Sequence, residues 1–398
     1  MTDYRSPSSV SVATPQGPAG TLSSGPGYHF SYLAGVEQAG AIALGMPLRP
    51  APYSEPNLHP IFEMNLPEGY VLEQIRNRLA RSVRIDPMLL LALTGRDEPI
   101  GRVRVTAPEL PEASKQRVSL GQILRWDGAE SLFDELMDRY AFRTGLAGVQ
   151  PKVLVPEQTS DSSTSTPSLP TSDLIVKAGG DQYPGLAINE FVCMSIAQAA
   201  DIPTPEFHLS DNRQLFVIRR FDRDSSRGAL GFEDMAVLMG KRAADKYVGT
   251  YEQVARAIEL YSSAVEQDLV QLFEQVALSC IVGNGDAHLK NFGMLYTNPA
   301  ASDARLSPAF DIVNTTAYIP EDGLALSLGG SKSLFASRLH ILKLAQRCGI
   351  QEPNERIRKL LSAAESTLSA LGDLLEGHVE IETAIRQGVD QFSATFGD

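Results

Sequence analysis

Between Gly283 and Phe292 the chain reads Gly-Asn-Gly-Asp-Ala-His-Leu-Lys-Asn-Phe, crowding five polar or ionisable side chains into one loop. Such a cluster is costly unless its members meet a ligand, a metal or one another. The spacing that carries chemistry is Asp286 followed five residues later by Asn291. In phosphoryl transfer a loop aspartate accepts the proton of the attacking hydroxyl, and an asparagine five positions on holds magnesium. A second acid is then needed on another element. Asp311, alone within the apolar stretch Pro308 to Val313, is the candidate. Oxygen donors without cysteine suit magnesium and nucleotide phosphates rather than zinc. Each residue also has a plainer alternative. Asp286 and Asn291 could be a polar turn capping its own backbone, and Asp311 a helix N-cap. His288 reads as a brace for the loop, with a cofactor contact as its alternative. Lys290 either stabilises charge on the transferring phosphate or is solvated.

Upstream, Gly145-Leu146-Ala147-Gly148-Val149-Gln150-Pro151-Lys152 is a glycine-containing turn entering a strand. Its backbone N–H groups could cradle phosphates; an ordinary hairpin is the alternative. Lys177 ends the strand Leu174 to Lys177, as the nucleotide-binding lysine does in the kinase strand motif. Glu190 on the following helix is either the ion-pair partner of Lys177 or part of a solvated face. Loop, lysine, glutamate, Asp286/Asn291 and a later aspartate stand in kinase order.

The elements that must position these groups follow from periodicity. Residues 1–27 are rich in Ser, Gly and Pro and predict a loose tail or an irregular edge strand. Tyr28–Tyr32 and Val103–Val105 read as strands, and Val71–Val83 and Met88–Leu93 as helices, with Thr94-Gly95 as a stop. Pro108–Pro111 reads as a linker. Gln150–Val155, Asp173–Lys177 and Leu215–Ile218 read as strands, and the Ser/Thr/Pro stretch 157–172 as a mobile loop. Ala187–Ala199 predicts a helix with Phe191, Val192, Ser195, Ile196 and Ala199 on one side. Leu269, Leu272, Phe273, Val276 and Cys280 mark a buried helical face stopped by Gly283. A last long helix runs from Ile357 to Leu371. The expected fold is α+β, with a β-containing N-terminal half and an all-helical C-terminal lobe.

Composition narrows the function classes. The 398 residues carry 35 Lys+Arg against 48 Asp+Glu, a net charge of −13, which argues against an extended nucleic-acid surface. With 43% hydrophobic residues, the chain is ordinary globular material rather than a disordered one. Cys193, Cys280 and Cys348 lie far apart without metal-ligand spacing, which fits a reducing cytoplasm. Arg5 is followed by Ser, Pro and Gly with no apolar segment, so a signal peptide is not expected. The apolar run from Pro87 to Leu93 is too short to span a bilayer.

With these residues in view, the chain resembles the HipA family, the kinase toxins of type II toxin–antitoxin modules. Met46-Pro47-Leu48-Arg49, Ala51-Pro52-Tyr53-Ser54 and Asn65-Leu66-Pro67-Glu68 resemble its N-terminal subdomain. Gly148-Val149-Gln150-Pro151-Lys152 resembles its phosphate loop, and Arg220-Phe221-Asp222-Arg223 with Glu233-Asp234-Met235 its hinge and following helix. Asn284 to Phe292 is the most specific stretch, similar to the Asp-x-His-x-x-Asn loop shared with phosphoinositide-type kinases. The resemblance covers roughly residues 19 to 392 and implies a two-lobed, protein-kinase-like fold. The implied units are a HipA N-terminal subdomain at 1–110 (1–18 a loose tail), a nucleotide-binding lobe at 111–222 and a helical kinase lobe at 223–398.

The same resemblance implies an ATP- and magnesium-dependent Ser/Thr protein kinase. Asp286 would be the base, assisted by Lys290 and Asn291; Asn291 and Asp311 would hold magnesium. Gly148, Gln150, Lys152, Lys177 and His288 would contact the nucleotide, with Phe221 at the adenine hinge. Better-known members phosphorylate an aminoacyl-tRNA synthetase, glutamyl-tRNA synthetase in particular. Their partner is HipB, a helix-turn-helix antitoxin that holds the toxin on operator DNA. Two positions depart from the family. Gly145 stands where the family has an autophosphorylated serine, with Thr144 adjacent and the 157–172 loop nearby. Arg219 stands where an acidic hinge residue is frequent. A small-molecule or lipid-type kinase is the rival within enzymes, and a catalytically silent co-repressor the rival outside them.

Overall fold

Val10 and Val12 alternate with serines, and this two-residue period makes a strand where composition alone suggested a loose tail. The computed structural model describes residues 5–79, 83–96, 99–107, 116–126, 131–143, 146, 150–158, 173–180, 182–224, 226 and 228–397. The first sheet is built from β1 (Ser9–Thr14), β2 (Gly17–Ser24), β3 (Tyr28–Tyr32), β4 (Tyr53–Glu55) and β5 (Arg104–Thr106). Its antiparallel order is β4-β3-β2-β1-β5. From residue 9 onward the expected tail is thus an interior strand, bulged between Val12 and Ala13 and paired on both sides. Side chains alternating inward outweigh the weak β-propensity of serine.

Behind this sheet lie α1 (Pro60–Glu63), α2 (Gly69–Arg78) and α3 (Pro87–Thr94). Asp86 caps α3 by accepting from the Leu89 N–H at 3.0 Å, and all but one residue of this apolar helix are buried. α2 is shorter than its periodicity predicts. It buries Val71 and Ile75, and Leu79 leaves the helix in an extended conformation with its side chain still in the core. The expected linker at Pro108–Pro111 lies outside the described residues.

Two short helices, α4 (Leu120–Leu124) and α5 (Leu132–Tyr140), lead to the second sheet. It comprises β6 (Lys152–Pro156), β7 (Asp173–Ala178), β8 (Phe207–Leu209) and β9 (Leu215–Arg219), in the antiparallel order β6-β7-β9-β8. Its two faces belong to different cores. Val153, Val155, Leu174, Val176, Leu215 and Val217 pack with the N-terminal sheet and helices. Phe216 and Ile218 pack instead with the helices that follow. Helix α6 (Leu186–Ala199) is wedged between this sheet and the helical core. It is therefore buried nearly all round, and Ala199, expected on the inner face, is exposed. Of the stretch 157–172, residues 159–172 lie outside the described residues.

The remainder is not all-helical, as expected, but carries small sheets. A hairpin of β10 (Arg223–Asp224) and β11 (Gly228–Ala229) precedes β12 (Gly231–Asp234). After α7 (Met235–Leu238), α8 (Tyr251–Tyr261) and α9 (Val265–Ile281), the chain returns as β13 (Gly293–Tyr296) and β14 (Arg305–Leu306). These form a three-stranded sheet, β12-β13-β14. Gly293 permits the pairing, because the Phe232 ring sits 2.5 Å from where a Cβ would be. Helices α10 (Leu334–Cys348), α11 (Pro353–Ala370), α12 (Gly372–Leu375) and α13 (Val379–Phe396) complete the core. Leu269, Leu272, Phe273, Val276 and Cys280 of α9 are buried in it, as their spacing requires. Among the described residues no helix is long and apolar enough to cross a membrane.

A buried ionic clamp joins the N-terminal part to the chain leaving β9. Arg220 bridges Asp222 at 2.7 Å and Asp173 at 3.3 Å, and Arg223 lies 3.0 Å from Asp222. Both arginines donate to Pro99 O, at 2.7 and 2.6 Å, while Asp222 Oδ2 accepts from the Gly101 N–H at 2.6 Å. Burial pushes the Asp222 carboxyl up, but Arg220 and Arg223 override it and hold the group down at about 2. A carboxylate depressed on folding stabilises above its ordinary value of 3.8, and that stability is lost as pH falls through about 2. Asp222→Asn should therefore cost about 2 kcal/mol at neutral pH. In urea titrations the gap to wild type should narrow below about pH 4 and close near pH 2.

Candidate active site

Strand register sets the first half of the site. Lys152 on β6 lies directly opposite Lys177 on β7, both facing away from the N-terminal core. Like charges paired across strands repel, the more so when both are buried. Lys177 is neutralised: its Nζ lies 2.5 Å from Glu190 Oε1 and 2.5 Å from Asp311 Oδ1. Glu190, left between an ion pair and a solvated face by its sequence, is thus buried on α6 and paired. Burial works against the Lys177 charge, but Asp311 and Glu190 hold its pKa above the ordinary value. Lys152 has no hydrogen bond or ion pair among the described residues, and burial lowers its pKa. Gln150 Nε2 beside it is likewise buried without a partner. Two unpartnered donors pointing into one cleft define a place for an anion. Gly148, Gly145 and Thr144 lie outside the described residues.

The loop after α9 supplies the other half. Gly283 ends the helix at a φ of +69°, where a Cβ would also strike Thr316 and Asn314. Asn314 Nδ2 donates to Val282 O at 2.7 Å, and the Thr315 N–H to Gly283 O at 3.0 Å. Thr315 Oγ1 accepts from the Gly285 N–H at 2.8 Å. Asn189 of α6 holds Asn314 in turn, accepting from its N–H and donating to its carbonyl, each at 2.8 Å. Within the loop, Asn284 Oδ1 accepts from the Asp286 N–H at 3.0 Å, and the His288 N–H donates to Asp286 O at 2.7 Å. The loop does cap its own backbone, but through Asn284, which leaves the Asp286 carboxylate for other work.

That carboxylate faces the cleft and accepts from the Tyr247 hydroxyl at 2.7 Å. Burial raises its pKa, the Tyr247 hydrogen bond opposes this, and the Asp311 charge adds to the rise. Asn291 Nδ2 donates to Asp311 Oδ2 at 3.2 Å, while Asn291 Oδ1 is buried and unpartnered. Asp311 is no N-cap; it sits in a loop at a φ of +60°, a backbone state uncommon for a residue with a side chain. Burial would raise its pKa, but Lys177 and Lys152 hold it well below the carboxylate range. An orphaned carbonyl oxygen beside an ionised carboxylate fits a hard divalent cation that shares phosphate oxygens. His288 is a neutral imidazole: burial, with Lys246 nearby, pushes its pKa down to about 3. Its Nδ1 has no partner, and its ring meets Tyr247 edge-on at 5.2 Å. Lys290 is neither free nor solvated; its Nζ lies 3.3 Å from Glu68 of the N-terminal part.

Gln150, Lys152, Lys177, Tyr247, Asp286 and Asp311 line one open cleft of about 1250 Å³ between the second sheet and the loop, as do His288, Lys290 and Asn291. Its apolar end is an aromatic cluster. Phe221 packs on Phe310 at 5.3 Å and on Phe232 at 5.6 Å, a surface suited to a planar base. Arg219 bridges Glu157 and, at 2.8 Å, Glu206, so its charge is neutralised. Every expected site residue among the described ones, from Gln150 and Lys152 to Asp311, lies on this cleft. Tyr247, Asn189, Asn314 and Thr315 were not foreseen. The last two follow Asp311 closely, and their clustered polarity in an apolar stretch was the signal available.

Residues 144–368 match the HipA-like C-terminal domain and residues 10–106 the HipA N-terminal domain. The chain belongs to the HipA family. It is 31% identical over 317 residues to a Sinorhizobium fredii protein named "Putative kinase Y4dM", covering 74% of this chain and 71% of that one. A second protein of that organism, "Putative kinase Y4mE", is 25% identical over 359 residues, 84% of this chain and 83% of its own. Among solved structures, HipA from the Shewanella oneidensis MR-1 complex of HipA, HipB and operator DNA superposes with a TM-score of 0.69. Identity there is 16% over 97% of both chains, a likeness of fold, and that fold is the two-lobed, kinase-like one.

The Lys177 pairs give a direct test of the site's internal electrostatics. Lys177→Met strands two carboxylates and should cost about 3 kcal/mol or more in urea denaturation. Lys177→Met with Glu190→Leu should recover part of that loss, because the deeper unpaired acid is gone.

Proposed function

We propose that this chain is an ATP- and magnesium-dependent serine/threonine protein kinase, the toxin of a type II toxin–antitoxin module. The observation that carries the reading is the opposition, across one cleft, of Lys152 and Lys177 to Asp286, Asn291 and Asp311. The lysines and Gln150 hold the nucleotide phosphates, and Phe221 with Phe310 receives the base. Asn291 Oδ1 and the Asp311 carboxylate hold magnesium, which when bound neutralises phosphate charge. Asp286 takes the proton of the acceptor hydroxyl as that oxygen bonds to the γ-phosphorus and the β,γ-bridging P–O bond breaks, ADP leaving. Its raised pKa brings it closer to the working pH, which favours proton acceptance. Asn314 and Thr315 fix the loop so that Asp286 and Asn291 keep their places. Lys290, tied to Glu68, supports charge on the transferring phosphate from the cleft rim.

Kinship with the HipA family supports an aminoacyl-tRNA synthetase, glutamyl-tRNA synthetase first, as the substrate, within the cytoplasm. It also supports a small HipB-like helix-turn-helix antitoxin as the partner. Operator DNA is then reached through that basic partner, since this chain's net charge is −13. Autophosphorylation, if retained, falls on Thr144 or the 157–172 loop, Gly145 having no hydroxyl.

Asp286→Asn should lower phosphate transfer by about 10²–10⁴-fold while Mg-ATP affinity is kept. Radiolabelled ATP added to a cell lysate checks this; label entering small molecules rather than protein would overturn the protein-kinase reading. Asp311→Asn preserves a residue type tolerant of the left-handed backbone. It should weaken nucleotide binding in magnesium far more than in EDTA, as calorimetric titration reads directly.

A further inference from the structure

An acceptor hydroxyl must reach the Asp286 carboxylate, and a hydroxyl of this chain already stands there. Tyr247 donates to Asp286 Oδ1 at 2.7 Å, and among the described residues this is the one hydrogen bond to that carboxylate. Asp286 is half-buried, whereas Tyr247 is 41% exposed, so the phenol reaches the base from the solvent side. Both residues line the open cleft that a substrate hydroxyl has to enter.

The backbone that carries Tyr247 is tied down. Lys246 O accepts from the Leu289 N–H at 3.1 Å, and Tyr247 O from Lys332 Nζ at 3.1 Å. The preceding turn, Ala243–Asp245, is closed by the Lys246 N–H donating to Ala243 O at 3.3 Å, and the next by the Val248 N–H donating to Asp245 O at 2.9 Å. The side chain is held by its hydroxyl bond, by the edge-on contact with His288 at 5.2 Å and by Lys246 Nζ 5.1 Å over its ring. Rotation of one exposed side chain therefore clears the base without moving the catalytic loop.

We propose that Tyr247 is an acceptor-site gate, whose hydroxyl fills the acceptor's place on Asp286 until a protein hydroxyl displaces it. This rests on the kinase reading above. Without such a guard, water on Asp286 could attack the γ-phosphate of bound ATP. A new P–O bond to the water oxygen would form and the β,γ-bridging P–O bond would break. The proton would go to Asp286, releasing ADP and inorganic phosphate. The phenol proton occupies that oxygen and raises the barrier to this hydrolysis. Tyr247 thus acts through Asp286 as a positioning residue and sets the preference for a protein hydroxyl over water.

The test uses the full chain with Mg-ATP and no acceptor protein. Tyr247→Phe keeps the ring and removes only the hydroxyl. It should raise ADP release about tenfold or more, the factor expected for one hydrogen bond to a charged group. Mg-ATP affinity by calorimetry should be unchanged, and adding Asp286→Asn should return hydrolysis to the wild-type level or below. Tyr247→Leu, which also removes the ring contact, should raise hydrolysis at least as much. Unchanged or slower hydrolysis in both single variants, with Mg-ATP binding intact, would overturn the gate alone. Phosphotyrosine at position 247 of the wild-type chain would overturn it too, making Tyr247 an acceptor instead. Failure of wild type and variants alike to bind Mg-ATP would instead defeat the kinase reading, and the gate with it.

Discussion

Two buried lysines face each other on neighbouring strands, and much of the molecule is organised around their repulsion. Lys177 is neutralised from two directions, by Glu190 on α6 and by Asp311 on the far side of the cleft. Each of those acids is where it is for a tertiary reason. Glu190 directly follows Asn189, which pins Asn314; Asp311 holds an uncommon backbone state three residues before Asn314. The charge pairing and the bracing of the loop after α9 are therefore parts of one network. Lys152 stays unpaired within it, which is tolerable only where an anion comes and goes.

The loop chemistry was legible in sequence because it is local. Asp286, His288, Lys290 and Asn291 lie within one short stretch whose polarity has no other use between two apolar elements. Lys177 was legible as the end of a strongly apolar strand. The buried face of α9 was readable because its period runs unbroken from Leu269 to Cys280. What escaped needed knowledge of the third dimension. The first strand was hidden by serines that alternate with valines, and composition conceals alternation. Burial all round α6 was not evident from one strip of apolar residues, because Glu190 stands among Cys193, Met194 and Ala197 opposite it and is polar but paired. Tyr247 had no signal at all: a lone tyrosine in a polar turn acquires meaning only beside Asp286.

The N-terminal part is more than an appendage to the site. Pro99 and Gly101 are held by Arg220, Asp222 and Arg223, which flank Phe221 at the apolar end of the cleft. Glu68 reaches Lys290 in the loop after α9. Leu44 is bonded to the buried Glu233, next to the aromatic Phe232. Three separate contacts thus let the N-terminal part bear on residues that line the cleft. Arg219, a departure from the family pattern, is absorbed by Glu157 and Glu206 and leaves that end of the cleft apolar.

The second sheet has a core on each face, and its strands alternate between them. Val176 and Val217 look toward the N-terminal part, whereas Ile175, Lys177 and Ile218 line the cleft. Successive residues of one strand therefore answer to different selective pressures. Those on one face are constrained by how two structural units adhere; those on the other are constrained by the ligand. Drift on the adhesive face can retune how firmly the units hold together while every group on the ligand face keeps its place. A lineage could in this way change how readily its cleft opens without altering a single residue that lines it.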